Sequence, residues 1–189
     1  MAQDESIWIG TQDGLRVWNH GEVTIYGKAS DHKSQSTTVW LPVRYVSDRE
    51  LGDHVFVSVF GDRAGRILVS TPSAFGYMEN GRFSSIGGVP GGIVYSVDQD
   101  RQGNLWIANL DQGLLRLAKD GTVQRISWGS IGRKDGAQSS AADRSTGGLW
   151  LGFNEGGVAY FRDGQIKETY TRREGLGNGR VGAGLRTTV

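Results

Sequence analysis

The chain has no cysteine among its 189 residues, which excludes disulfides, thiolate metal sites and a cysteine nucleophile. Only three prolines stand against thirty glycines, and no long stretch repeats its apolar residues every 3.6 positions. Tight turns are therefore expected to dominate, with few helices. Charge of one sign is also missing: 21 basic and 20 acidic side chains nearly cancel and form no run. That balance gives no footprint for nucleic acid or an anionic membrane. There is no span of about twenty apolar residues and no leader pattern, so this segment is expected to make no membrane contact. Three scattered histidines, His20, His32 and His54, leave little for acid–base chemistry, and no nucleophile-elbow or metalloprotease motif occurs.

What the sequence does have is repetition. "GNLWIANLDQGLLRLAKDG" at 103–121 has counterparts in "SIWIGTQDGLRVWNHG" at 6–21, "GRILVSTPSAFGYMENG" at 65–81 and "GGLWLGFNEGGVAYFRDG" at 147–164. Each places a large apolar anchor (Trp8, Leu68, Trp106, Trp150) between apolar neighbours, with a small residue two positions later: Gly10, Ser70, Ala108 and Gly152. A second apolar run follows and closes on a turn: Asn19-His20-Gly21, Asn80-Gly81, Asp120-Gly121 or Asp163-Gly164. Asn-Gly and Asp-Gly between apolar runs predict hairpins, because a type I′ turn needs positive φ at both central residues. Another strand-like run precedes each of the last three anchors and ends in Asp-Arg: Asp62-Arg63, Asp100-Arg101 and Asp143-Arg144.

One unit thus predicts four short strands in a meander. Anchors are separated by 60, 38 and 44 residues (8 to 68, 68 to 106, 106 to 150), and the last two fit the period of about 40–50 residues of four-stranded propeller blades. An anchor strand apolar on both faces suits a sheet sandwiched between two neighbours. The expected fold is all-β: a partial β-propeller of about four blades of four-stranded antiparallel sheet, a segment of a seven- or eight-bladed ring. The whole of 1–189 is one such domain, with blade units at 1–27, 54–87, 92–128 and 136–171. Residues 28–53 are an insertion, and 172–189 start the next blade. Self-association that closes the ring is a further expectation.

These repeats resemble the two-component regulator propeller repeat, approximately D-x-x-G-x-L-W-I-G-T-x-x-G-L-x-x-x-x-x-G. The closest copies are "SIWIGTQDGLRVWNHG", "DRQGNLWIANLDQGLLRLAKDG" and "DRSTGGLWLGFNEGGVAYFRDG", while "YTRREGLGNGRV" looks like the linker into a following blade. Ala108-Asn109, Gly152-Phe153 and Leu68 depart from that pattern. The resemblance implies an extracytoplasmic, periplasmic sensing module of a bacterial histidine kinase or hybrid system, binding a small molecule such as a saccharide, without catalysis in this segment. Kinase activity belongs only to a longer parent. The alternatives are a propeller lyase resembling the streptogramin lyases, which use a metal and a histidine base, and a scaffold for protein partners.

The insertion alone departs from the repeat, and its Trp40, Arg44, Tyr45 and His54 are the candidate ligand-binding residues, a mixture that suits a sugar ring or a carboxylate. No cofactor or metal is assigned. "DQDRQGN" at 98–104 resembles an oxygen-lined calcium loop, yet Phe60 and Ala141 replace Asp98 in the sister loops. Asp62, Asp100 and Asp143 are read instead as turn caps accepting backbone N–H groups. "GNGRVG" at 177–182 formally matches a dinucleotide motif but precedes no helical pattern, so its glycines are read as turn residues.

Overall fold

A computed structural model describes residues 6–11, 14–20, 22–26, 43–46, 58–143, 145–177 and 179–182. The chain divides into two compact units, residues 1–87 and 88–189. The fold is all-β and built from four-stranded propeller blades.

In the first unit, β1 (Ile7–Thr11), β2 (Gly14–Asn19) and β3 (Glu22–Tyr26) form an antiparallel meander. The fourth strand of this sheet, β4 (Val43–Val46), comes from the segment expected to be an insertion and pairs with β3 in parallel. A parallel partner needs a long return connection, and the residues between Tyr26 and Val43 supply that length. The second sheet holds β5 (Ser58–Gly61), β6 (Ile67–Ser70), β7 (Ala74–Glu79) and β8 (Arg82–Pro90) in sequence order. Leu15, Val69, Met78 and Phe83 are buried between the two sheets, with Trp8 and Tyr26 packed against them. Trp8 and Tyr26 stack with ring centroids 6.1 Å apart.

The second unit repeats the plan with more regular strands. β9 (Val94–Gln99), β10 (Leu105–Asn109), β11 (Gly113–Leu117) and β12 (Val123–Ile126) make one antiparallel sheet. β13 (Ala137–Ala142), β14 (Leu149–Phe153), β15 (Val158–Arg162) and β16 (Gln165–Tyr170) make the other. Apolar burial between them is continuous: Leu149, Leu151 and Phe161 of the later sheet meet Ala108 and Leu114 of the earlier, and Trp106 lies edge-on to Phe161 at 5.8 Å. Polar contacts lock the same pair of sheets. Ser96 donates to Ser140 across 3.0 Å, and the Asp98 carboxylate accepts the Ala142 N–H at 2.5 Å and the Gln99 N–H at 2.6 Å.

The turns follow their residue chemistry. His20, Asn80 and Asp163 adopt positive φ of 46°, 50° and 53°, as tight hairpins between apolar runs require. At Asp120-Gly121 only Gly121 is left-handed, and the loop widens so that the Ala118 N–H reaches Thr122 O at 2.9 Å. There the Asp120 carboxylate accepts the Thr122 N–H at 2.9 Å, an Asx turn that takes the place of the expected type I′ geometry. The three Asp-Arg turns are capped as expected. Asp62 accepts the N–H groups of Ala64 and Arg66, Asp100 that of Asn104, and Asp143 those of Ser145 and Thr146.

Candidate functional site

In an antiparallel meander, the start of one strand and the end of the next lie at the same end of the sheet. The entry to β13, the β14–β15 turn and the exit from β16 therefore gather at one end of the last sheet. Between them lies a pocket of about 460 Å³ lined by residues 132–135, 155–157, 171–172, 177 and 179. Its volume falls in the range of about 300–1,000 Å³ typical of small-molecule sites.

The floor is assembled from the apolar core upward. Trp128 is buried and donates its indole N–H to Asn109 O at 3.0 Å. Phe153, fully buried, meets Trp128 edge-on at 6.2 Å. Arg133 lays its guanidinium over the Phe153 ring, 3.9 Å from the centroid. That plane donates to Asp135 Oδ1 from Nε at 2.9 Å and to Gly156 O from Nη2 at 3.2 Å. Asp135 completes the brace by accepting the Glu155 N–H on Oδ2 at 2.8 Å. Ring, guanidinium and carboxylate thus hold two loops in one arrangement before any ligand arrives.

The opposite wall is the segment after β16. Thr171 and Glu174 form a capping box around the short 3₁₀ turn Arg172–Glu174, with Glu174 Oε2 accepting the Thr171 N–H at 2.7 Å and its hydroxyl at 2.8 Å. The Thr171 N–H, and then its hydroxyl, hold the exposed Glu174 carboxyl below the usual carboxylate range. Farther on, the Val181 N–H donates to Phe153 O at 3.1 Å and Ser139 Oγ donates to Val181 O at 3.2 Å, tying the segment back to β13 and β14. Gly156 has φ of 94°, and a Cβ there would stand 3.0 Å from Gly179 O, so a side chain would strain the backbone and crowd the rim.

Arg44 and Tyr45, expected to bind ligand, are not among the residues that line this pocket. β4 places Arg44 and Tyr45 at neighbouring register positions opposite Thr24 and Ile25. Trp40 and His54 lie outside the described residues. Three of the pocket's five charged residues, Arg133-Lys134-Asp135, sit in "GSIGRKDG", a connection between repeats. Its signal was three consecutive charges between glycines in a linker otherwise short of charge. Gly177 and Gly179 of "GNGRVG" do line the pocket, and they do so as loop residues. The calcium-like loop spends its carboxylates on N–H donors. Asp100 Oδ2 accepts Asn104 Nδ2 at 2.8 Å and Trp106 Nε1 at 3.0 Å, and no cluster of three metal-ligating acids or histidines occurs among the described residues.

Residues 88–111, the strand before Trp106 and the anchor strand itself, match the family model described as "Two component regulator propeller". The chain carries a two-component regulator propeller repeat. The extracellular domain of BT4673 from B. thetaiotaomicron, described as a candidate one-component or hybrid two-component system, superposes with TM-scores of 0.62 and 0.61 in two crystal structures at 18% identity. In both, the match covers 96% of this chain and 23% of that one. The extracellular domain of BT3049, a candidate hybrid two-component system of the same organism, matches with a TM-score of 0.51 at 16% identity, over 90% of this chain and 27% of that one. This chain therefore spans about a quarter of the length of each, and at such identity the likeness is one of fold. No curated protein matches it. Among the described residues, no helix is long and apolar enough to cross a membrane.

Proposed function

We propose that this chain is part of the extracytoplasmic sensing region of a two-component system and that the pocket at the end of the last sheet is where it reads a small molecule. The observation that carries the reading is the pre-formed pocket itself: three loops at one end of the last sheet, two of them held by the Trp128–Phe153–Arg133–Asp135 brace and the third by the Thr171–Glu174 capping box and the Val181 bonds to Phe153 and Ser139. The match of residues 88–111, in the preceding sheet, to the two-component regulator propeller model supports the sensor role. The similar folds described as extracellular domains support the location. Signal transfer would be a population shift, with ligand favouring one arrangement of the loops between repeats over another. This reading predicts binding without turnover. A thermal-shift panel of oligosaccharides and organic acids, run on the full chain, should yield compounds that raise the melting temperature, and Gly156→Val should abolish the rise. A panel that leaves the melting temperature unmoved would refute it.

A further inference from the structure

The charges around the pocket are not equally available. Asp135 is spent on Arg133 Nη2 at 2.7 Å and on the Glu155 N–H. Glu174, the acid nearest in sequence to Arg172, is spent on Thr171. Arg133 is spent on Asp135, Gly156 O and the Phe153 ring. That leaves Lys134 and Arg172, both exposed, each at the pocket lining and each without an ion-pair partner among the described residues. They come from two different loops on facing walls. Of the two acids that line the pocket, Asp135 and Glu155, only Glu155 has a carboxylate that no hydrogen bond or ion pair among the described residues engages. Walls made largely of glycine leave the space between these three side chains open.

We propose that the pocket takes a hydroxylated carboxylate, with the ligand's carboxylate between Lys134 and Arg172 and a ligand hydroxyl donating to Glu155. The assignment rests on the reading of this pocket as the ligand site and adds the ligand's chemistry. Two exposed cations that line one pocket, each without an ion-pair partner among the described residues, favour an anion, since charge-assisted hydrogen bonds are the stronger kind. The free acid opposite them disfavours a second anionic group and selects a donor. The cations are long and exposed, so binding orders their side chains and its electrostatic part weakens with salt.

The test is a titration of the full chain, with amide NMR shifts as readout, using D-glucuronate, its neutral counterpart D-glucose and the cationic D-glucosamine as probes. Glucuronate should give saturable shifts at Gly156, Gly157 and Gly179. Lys134→Gln with Arg172→Gln should weaken it by about tenfold or more, and Glu155→Gln by less. Both changes are at exposed positions, and an unchanged melting temperature shows that the fold is kept. Glucose or glucosamine shifting the same amides as strongly as glucuronate would overturn the acid assignment and leave the pocket reading standing. An absence of saturable shifts at these amides with all three probes, or shifts lying only elsewhere, would overturn both.

Discussion

The strands "IWIG" of β1 and "LWLG" of β14 are nearly the same peptide, yet the molecule treats them differently. Leu149 and Leu151 are 1% and 0% exposed, while their counterparts Ile7 and Ile9 are 53% and 47% exposed. Both central tryptophans are half-buried: Trp8 under Tyr26 and the following sheet, Trp150 beside Tyr160 at 4.8 Å and Tyr170 at 5.9 Å. The difference lies on the other face and at the edge. β14 has the preceding sheet of its unit across Leu149 and Leu151, and β13 paired along its edge. Among the described residues β1 is an edge strand, and Trp18, its cross-strand neighbour at Ile7, is exposed as well. An apolar triplet therefore does not bury itself. It specifies a strand that can accept cover on two faces, and the neighbours decide how much stability that strand contributes.

Equivalent substitutions in the two strands measure this directly. The largest expected effect is at the covered face: Leu151→Ala should destabilise by about 2–5 kcal/mol in a denaturant melt, as removal of a fully buried leucine does. Ile9→Ala, at the uncovered position, should cost less than about 1 kcal/mol. Equal losses would mean that Ile9 is covered after all. The small residue after the anchor gives a second pair. A Cβ on Gly152 would lie 2.5 Å from both Ser139 Oγ and Val181 Cγ1, whereas Gly10 is exposed. Gly152→Ala should therefore cost about 1–3 kcal/mol by overpacking, and Gly10→Ala a small fraction of that.

A smaller contrast separates Trp106 from Trp8. Trp106 donates its indole N–H to Asp100, a buried carboxylate at 3.0 Å, while Trp8 donates to Ser6 at a half-buried site, also at 3.0 Å. Trp106→Phe should lose about 1–2 kcal/mol, because it removes a charge-assisted bond from a buried group, and Trp8→Phe about half that or less. The smallest effect is at a turn cap. Burial works to raise the Asp143 carboxyl, but hydrogen bonds from the Ser145 hydroxyl and N–H and from Thr146 outweigh it, holding the group well below its ordinary 3.8. A depressed folded value contributes stability that is present above the ordinary value and lost as pH falls beneath it. Asp143→Asn should therefore melt lower than wild type at neutral pH, with the gap closing below about pH 4. A gap that widened on acidification would contradict the cap.

Much of the fold was legible because it rests on local chemistry. Asn80-Gly81 and Asp163-Gly164 sit in tight hairpins, and Asp62, Asp100 and Asp143 accept N–H groups within a few residues of themselves. The parallel strand β4 was not legible, since "VRYV" carries no mark of which strand edge it joins or in which direction. The role of Asp98 was equally hidden: a carboxylate beside a turn reads as a loop ligand, and its bond to the Ala142 N–H spans 44 residues. The pocket was half legible. The glycines of "GNGRVG" stood out, though as turn residues, whereas the charges of "GRKD" did not. Their convergence depends on three loops meeting at one end of a sheet, which only the register of β13 to β16 creates.

Coverage rather than motif is the source of burial, and amide hydrogen exchange of the full chain reads that without any mutation. Peptides from β14 and β15, residues 149–162, should exchange far more slowly than those from β1 and β2, residues 7–19, in keeping with a covered and an uncovered sheet. Equal protection of the two would contradict it, and would show that the Ile7, Ile9 and Trp18 face is covered in solution.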